Sequence, residues 1–225
     1  MEHPTTALRL TRRAMRRFIV LMATLSGVIA GEAGAQGATC PRLTPPRVTP
    51  PPLCTENCEG EERWSLKTLV DRDVRTIDWT PRPTTISDVG RFRRPQRILD
   101  ARRAGVYERR VYCIEAWIVE VRPQGDGDLH VNLIDPDDGS EMIVEIPDSK
   151  CQNVCRSPWA AVFSAARERL ETRLRTWDTD TLRVVVTGVG FFDRNHGQLG
   201  AAPNSFELHP VLSVRFPKPA RARRR

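Results

Sequence analysis

The chain has 225 residues, with 35 Lys and Arg against 28 Asp and Glu and a formal net charge of +7. The excess is confined to the ends, because residues 37 to 217 carry 25 basic and 26 acidic side chains. The high net charge is therefore a property of the two ends and does not show a basic binding face.

Residues 1–35 read as a signal peptide. Arg9, Arg12, Arg13, Arg16 and Arg17 precede an apolar run from Phe18 to Ala30, and Ala33-Gly-Ala35 fits a small-residue cleavage site. That run falls short of the ~20 apolar residues a membrane-spanning helix needs, so the mature chain is expected to be exported without a transmembrane segment. Gly37-Ala-Thr39 is a poor lipidation signal ahead of Cys40, which favours cleavage near Ala35. Residues 36–60 form a linker rich in Pro and Cys, in which Pro41, Pro45, Pro46, Pro50, Pro51 and Pro52 favour extended chain.

Residues 61–106 read as an N-terminal extension wrapping a core built by later residues. Trp64 to Val70 is expected to be a short strand, and Ile77 to Trp79 a second apolar contact. Pro81, Pro83 and Pro95 interrupt the next stretch, and Arg97 to Ala104 suits a helical turn or two. From residue 107 the pattern changes. Val111 to Arg122 is rich in β-branched and aromatic residues. Leu129 to Asp135 alternates, with Leu129, Val131 and Leu133 opposite His130 and Asn132. Glu141 to Ile146 alternates Met142, Val144 and Ile146 against Glu141, Ile143 and Glu145. The joints Pro123-Gln-Gly-Asp-Gly-Asp128 and Asp135-Pro-Asp-Asp-Gly139 carry turn residues.

A long helix comes next, with Ser157 as N-cap and Pro158 at its first position. Trp159, Val162, Phe163, Ala166, Leu170, Leu174 and Trp177 form its apolar stripe. Leu182 to Asp193 is a strand in which Gly188 and Gly190 predict a bulge or bend. Leu208 to Phe216 is the last strand, with Leu208, Leu212, Val214 and Phe216 alternating against His209, Ser213 and Arg215; Pro210 predicts that one side is an edge. Residues 218–225 are a basic tail that reads as a solvated end.

Three strands, a helix and two strands make a mainly β fold with one long helix. That is the order of an OB-fold-like five-stranded barrel, here spanning residues 107–217. Leu66-Lys-Thr68, Pro83-Thr-Thr-Ile86, Asp126-Gly-Asp-Leu-His130, Met142 to Pro147, Gly188 to Asp193, His196-Gly-Gln198 and Glu207-Leu-His-Pro210 resemble a group of exported bacterial proteins. The resemblance implies export and an OB-like barrel, and no activity. Val121 to Leu133, with its Gly-Asp-Gly-Asp turn, also resembles the staphylococcal-nuclease type of OB barrel, whose Asp and Glu hold Ca²⁺ while two Arg hold phosphate. Only the acidic turn matches.

Six cysteines in an exported chain suit three disulfides, for which 15 connectivities exist. Cys54 with Cys58, and Cys151 with Cys155, are close enough for local bridges, which leaves Cys40 and Cys113. A Zn²⁺ site built from the four clustered thiols is the competing use. His130, His196 and His209, with Asp126, Asp128, Asp193 and Glu207 nearby in sequence, are the candidate ligand-binding residues. If the polar faces of the second and fifth strands meet, they form a His/carboxylate cluster with Asp128 and Glu207 that could hold Ca²⁺ or Zn²⁺, do acid–base work, or tie the loop from Asp193 to Asn204 onto the barrel. Asp135, Asp137 and Asp138 suit Ca²⁺ or a plain turn. No phosphate loop, nucleophile elbow or His-Glu-x-x-His is present.

The function expected is an exported, disulfide-stabilised OB-fold binding module. Nucleic acid or another anionic ligand is the candidate partner. One alternative is a metal-dependent nuclease-type phosphodiesterase using Asp126, Asp128 and Glu207 with Arg183 or Arg194; another is a structural protein of the cell envelope.

Overall fold

A computed structural model describes residues 40–43, 46, 54–58, 60, 62–179, 181–194 and 197–217. The signal segment, most of the linker and the basic tail lie outside them. Among the described residues no helix is long and apolar enough to cross a membrane.

The elements are α1 (Trp64–Lys67), β1 (Asp78–Thr84), α2 (Ile86–Gly90), β2 (Arg110–Pro123), β3 (Leu129–Ile134), β4 (Glu141–Ile146), α3 (Ala160–Leu174), β5 (Leu182–Phe192) and β6 (Phe206–Arg215). The sheet runs β1-β2-β3-β4-β6-β5, and a further β2–β5 ladder closes the last five strands into a barrel. β4 and β6 meet in parallel, Val144 opposite Leu208, while the other barrel neighbours are antiparallel. This is the OB-fold order, with α3 between its third and fourth strands.

Alternation decides the two faces of β3 and β4. Leu129, Val131, Leu133, Met142, Val144 and Ile146 enter the barrel core with Ile114, Val184, Val186 and Phe206. Ala166 and Leu170 of α3 join that core, while Phe163 and Trp159 pack outside it in a second cluster with Leu69, Val189 and Leu212. The helix thus covers the barrel and also holds the wrapping segment.

Several local expectations are corrected. Trp64–Lys67 is a helical turn rather than a strand: Arg63 (φ 51°) and Leu69 (φ 59°) bend the chain at both ends. The Pro-broken stretch contains a sixth strand, β1, parallel to the first half of β2. Pro81 and Pro83 are tolerated because, among the described residues, β1 has a neighbour on one side only, so a missing N–H on the other costs no ladder bond. Arg97 to Ala104 is irregular, and the carbonyls of Leu99 and Arg102 serve instead as acceptors for Arg63.

The helix begins at Ala160, two residues later than the Ser157 cap implies. Ser157 Oγ accepts from the Trp159 N–H at 3.0 Å but donates to Thr68 O at 2.6 Å, so it joins the helix start to the wrapping segment. Pro210 marks no edge, since β6 has neighbours on both sides. It sits at a bulge where the register shifts on either side of Gly188. A Cβ on Gly188 would lie 2.8 Å from Pro210 O. The bulge also breaks the expected alternation, so Leu208, Val211 and Val214 face the barrel core and Leu212 the second cluster.

The local disulfides are overturned. The bridges are Cys40–Cys113, Cys54–Cys155 and Cys58–Cys151, with sequence separations of 73, 101 and 93. Residues 54–56 run beside 150–152, joined by the Glu56–Cys151 bridge and backbone bonds to Lys150 O, so each cysteine faces the other segment rather than its own neighbour. With all six cysteines in disulfides, no thiol remains for the four-cysteine Zn²⁺ site.

One buried ion pair fastens the extension to the barrel and another ties the extension to itself. Arg63 places all five N–H groups: Nη1 and Nη2 on the Glu108 carboxylate at 2.6 and 2.8 Å, and the rest on the carbonyls of Leu99, Arg102 and Phe192. Arg103 pairs with Asp71 at 2.6 Å, and both side chains are fully buried. Buried charges persist only when matched in this way.

Candidate functional site

The outward faces of β3, β4 and β6 carry polar residues that the fold brings together beneath α1. His130 lies opposite Glu145 in the β3–β4 ladder. Its Nδ1 is 3.0 Å from Glu145 Oε1, and its Nε2 is 2.9 Å from Asn132 Oδ1. His209 on β6 reaches the other carboxylate oxygen, Nδ1 lying 2.8 Å from Glu145 Oε2, and its Nε2 lies 3.1 Å from Asp128 Oδ2. Asp128 and His209 are fully buried, and Glu207 is 2% exposed. Lys67, on the last turn of α1, lies over the Phe191 ring and 3.9 Å from Glu145 Oε2.

The network sorts its own protons. Burial alone would raise the Glu145 pKa, but the charge of the closely placed His209, the hydrogen bond from His130, and Lys67 hold it well below the usual carboxylate range. Glu207 goes the other way: burial, then the charges of Glu145, Asp193 and Asp128, push it well above that range despite Lys67. Burial would discharge Lys67, yet Glu145, Asp128, Asp193 and Glu207 raise its pKa. His209 is raised too: burial and Lys67 lower it, and Glu145 and Asp128 outweigh them.

Beside this network a polar recess of about 190 Å³ is lined by Lys67 and Glu145. Glu62 and Trp64 belong to the wrapping segment, Gln124 and Asp126 to the β2–β3 turn, and Asp193 and Gln198 to the β5–β6 connection. The Asp126 pKa is raised, first by burial and then by the Asp128 charge. Two glycines let the rim close. A Cβ on Gly60 (φ +139°) would lie 2.8 Å from Asp126 Cβ and 3.0 Å from the Trp64 ring. One on Gly127 (φ +87°) would lie 2.5 Å from Cys151 Sγ and 3.0 Å from Cys58 Sγ. The acidic turn is therefore seated against the Cys58–Cys151 bridge, and Arg167 Nη1 donates to Gly127 O at 2.8 Å.

Of the residues singled out in the sequence, Asp128, His130, Glu207 and His209 belong to the network, and Asp126 and Asp193 line the recess. His196 lies outside the described residues. Asp135 and Asp138 are turn-formers, their carboxylates accepting from the N–H groups of Asp137 and Ser140. Arg194 pairs with Glu62 and Asp100 at 2.8 Å each. Arg183 pairs with Glu115 opposite Trp117, eight residues along β5 from Phe191, which is roughly 25 Å of strand away.

Glu145 and Lys67 are participants that the sequence pattern did not single out. Glu145 was legible: counting outward from the turn at Asp135 to Ser140 pairs it with His130, as the ladder does. Lys67 was not, because its place depends on α1 docking across the barrel from 78 residues away in sequence.

No family model matches the chain, and no curated protein matches it. Two solved structures are similar to about half of the chain. OBody AM3L09 bound to hen egg-white lysozyme is 12% identical with a TM-score of 0.32, over 49% of this chain and 84% of that one. OBody AM2EP06 bound to hen egg-white lysozyme is 13% identical with a TM-score of 0.31, over 49% and 82%. The fold itself is fixed by the strand order: a closed five-stranded OB barrel held by three disulfides, with a sixth strand and a wrapping segment laid against it.

Proposed function

We propose that the chain is an exported OB-fold binding module whose recess takes a small ligand bearing both amine and hydroxyl groups, of amino-sugar character. The observation that carries this reading is the lining of the recess. Carboxylates of Asp126, Glu145 and Asp193, the Lys67 ammonium and the Gln124 and Gln198 amides supply donors and acceptors around the flat Trp64 ring. Its position also fits. OB folds bind ligands across their second and third strands and the two loops flanking them, here β3, β4, the β2–β3 turn and the β5–β6 connection. The volume is below the ~300–1,000 Å³ of sites for drug-sized molecules, which points to a single sugar unit or terminal residue.

An anionic ligand suits the recess poorly, since its carboxylates outnumber its ammonium group. A nucleic-acid strand laid across β3 would also meet the chain's own cover. Asn132 donates to Leu199 O at 3.4 Å, and a Cβ on Gly200 would lie 2.8 Å from the Asn132 amide. Export is supported by the basic and apolar stretches before Ala35 and by three disulfides, which persist in oxidising compartments. The nuclease reading loses its phosphate clamp, with Arg183 remote and Arg194 held by two carboxylates.

The test is two-dimensional NMR on ¹⁵N-labelled mature chain titrated with glucosamine, glucose and a diamine. Glucosamine is expected to shift the Trp64 indole and the Gln124 and Gln198 amides, and the Asp126→Leu variant to lose the response. Shifts confined to another face, or none with any of the three, would overturn the reading.

A further inference from the structure

We infer that Asp128, Glu145 and His209 form a binding site for a divalent transition-metal ion of the Zn²⁺ class, set in the wall behind the recess. This does not depend on what the recess itself binds. One oxygen from each carboxylate and one ring nitrogen of His209 all lie within 4.8 Å of one another. Zn²⁺ bonds of about 2.1 Å place tetrahedral ligands about 3.4 Å apart, so the three donors need only a modest inward adjustment to share an ion.

A second observation points the same way. The ring nitrogens of His209 are at ion-pair distance from the two carboxylates, yet neither approach has hydrogen-bond alignment. Both oxygens of Asp128 likewise lack an aligned donor, although residue and ring are completely buried. About nine in ten or more buried polar groups find a partner, so four such atoms at one point need an explanation. A cation held by one ring nitrogen of His209 and an oxygen from each carboxylate supplies part of it, because it accepts lone pairs from all three side chains and needs no N–H in line.

The surroundings resemble the outer support that metal ligands require. His130 and Asn132 hold Glu145 Oε1 in place and leave Oε2 turned toward His209. One imidazole with two carboxylates is a mixed nitrogen and oxygen set, which suits Zn²⁺ better than Ca²⁺ or Mg²⁺; the lack of thiolate argues against Cu(I). Glu145 also lines the recess, which gives the ion its way in.

The test uses the full mature chain with its disulfides formed, stripped by chelator and titrated calorimetrically with ZnCl₂ and separately with CaCl₂. One equivalent of Zn²⁺ is expected to bind, with Ca²⁺ at least tenfold weaker. Asp128→Asn and His209→Gln should each weaken Zn²⁺ binding about tenfold or more, and His130→Gln by about tenfold as an outer support. Should a variant fail to fold, ¹⁵N shifts of the imidazoles in the wild-type chain decide the matter. Movement of the His209 ring nitrogens on adding Zn²⁺ supports the site. Movement of His196 alone, no binding, or undiminished affinity in folded Asp128→Asn overturns it.

Discussion

Replacing Arg63 with Met tests whether the wrapping segment is held electrostatically. The substitution keeps an apolar stem of similar reach and removes all five donors. Glu108 would keep only the N–H groups of Phe192 and Ala104, and the carbonyls of Leu99, Arg102 and Phe192 would each lose a charged donor. Both side chains of the pair are fully buried, so the orphaned carboxylate has no access to water. Breaking such a pair from one side costs about 3–5 kcal/mol. At about 2–4 °C per kcal/mol for a chain of this size, the melting temperature should fall by roughly 6–20 °C. The assay is thermal and urea unfolding of the oxidised mature chain by circular dichroism. The double variant Arg63→Met/Glu108→Leu should cost less than the two single changes added together, by about 1 kcal/mol or more, because it removes both charges. A loss under about 1 kcal/mol for Arg63→Met, or strict additivity, would refute the account. Trp64 and Lys67 lie just beyond Arg63 in the chain, so the same variant should loosen the recess.

The Cys58→Ser/Cys151→Ser double variant should lose about 2–3 kcal/mol, because the intact Cys54–Cys155 bridge leaves the inner one only a ring of roughly ten residues to close. Mass spectrometry of non-reduced peptides should find Cys58 joined to Cys151, and a Cys54–Cys58 peptide would contradict the fold. Stability should also fall in acid through Asp73. Burial raises its pKa, but hydrogen bonds from Arg102 and the Arg103 N–H, with the charges of Arg102 and Arg109, bring it below the usual value. A depressed folded-state pKa means that the contribution is complete above the unfolded value of about 3.9 and disappears as pH falls through the folded one. Wild type should therefore exceed Asp73→Asn in urea unfolding at neutral pH and converge with it in strong acid. A constant gap between them would show that the charge is not responsible.

Residue pattern alone determined the barrel. Period-two alternation over Leu129 to Ile134 and Glu141 to Ile146, turn residues between the strands and one amphipathic helix in fourth place leave few other ways to bury the apolar faces. The same alternation placed His130 and Glu145 on one outward face, and turn counting set them side by side. Three outcomes were decided only in three dimensions. Cysteine pairing depended on residues 54–58 lying along 150–152, which no spacing within either pair encodes. The Pro-containing stretch became β1 because the first half of β2 offered an unpaired edge, a property of the partner and not of the segment. His209 met Glu145 and Lys67 because closure of β6 against β4 and docking of α1 brought residues from three distant parts of the chain to one point. Local sequence encodes which way a side chain faces; what it faces is set by which surfaces remain to be covered once the core has formed.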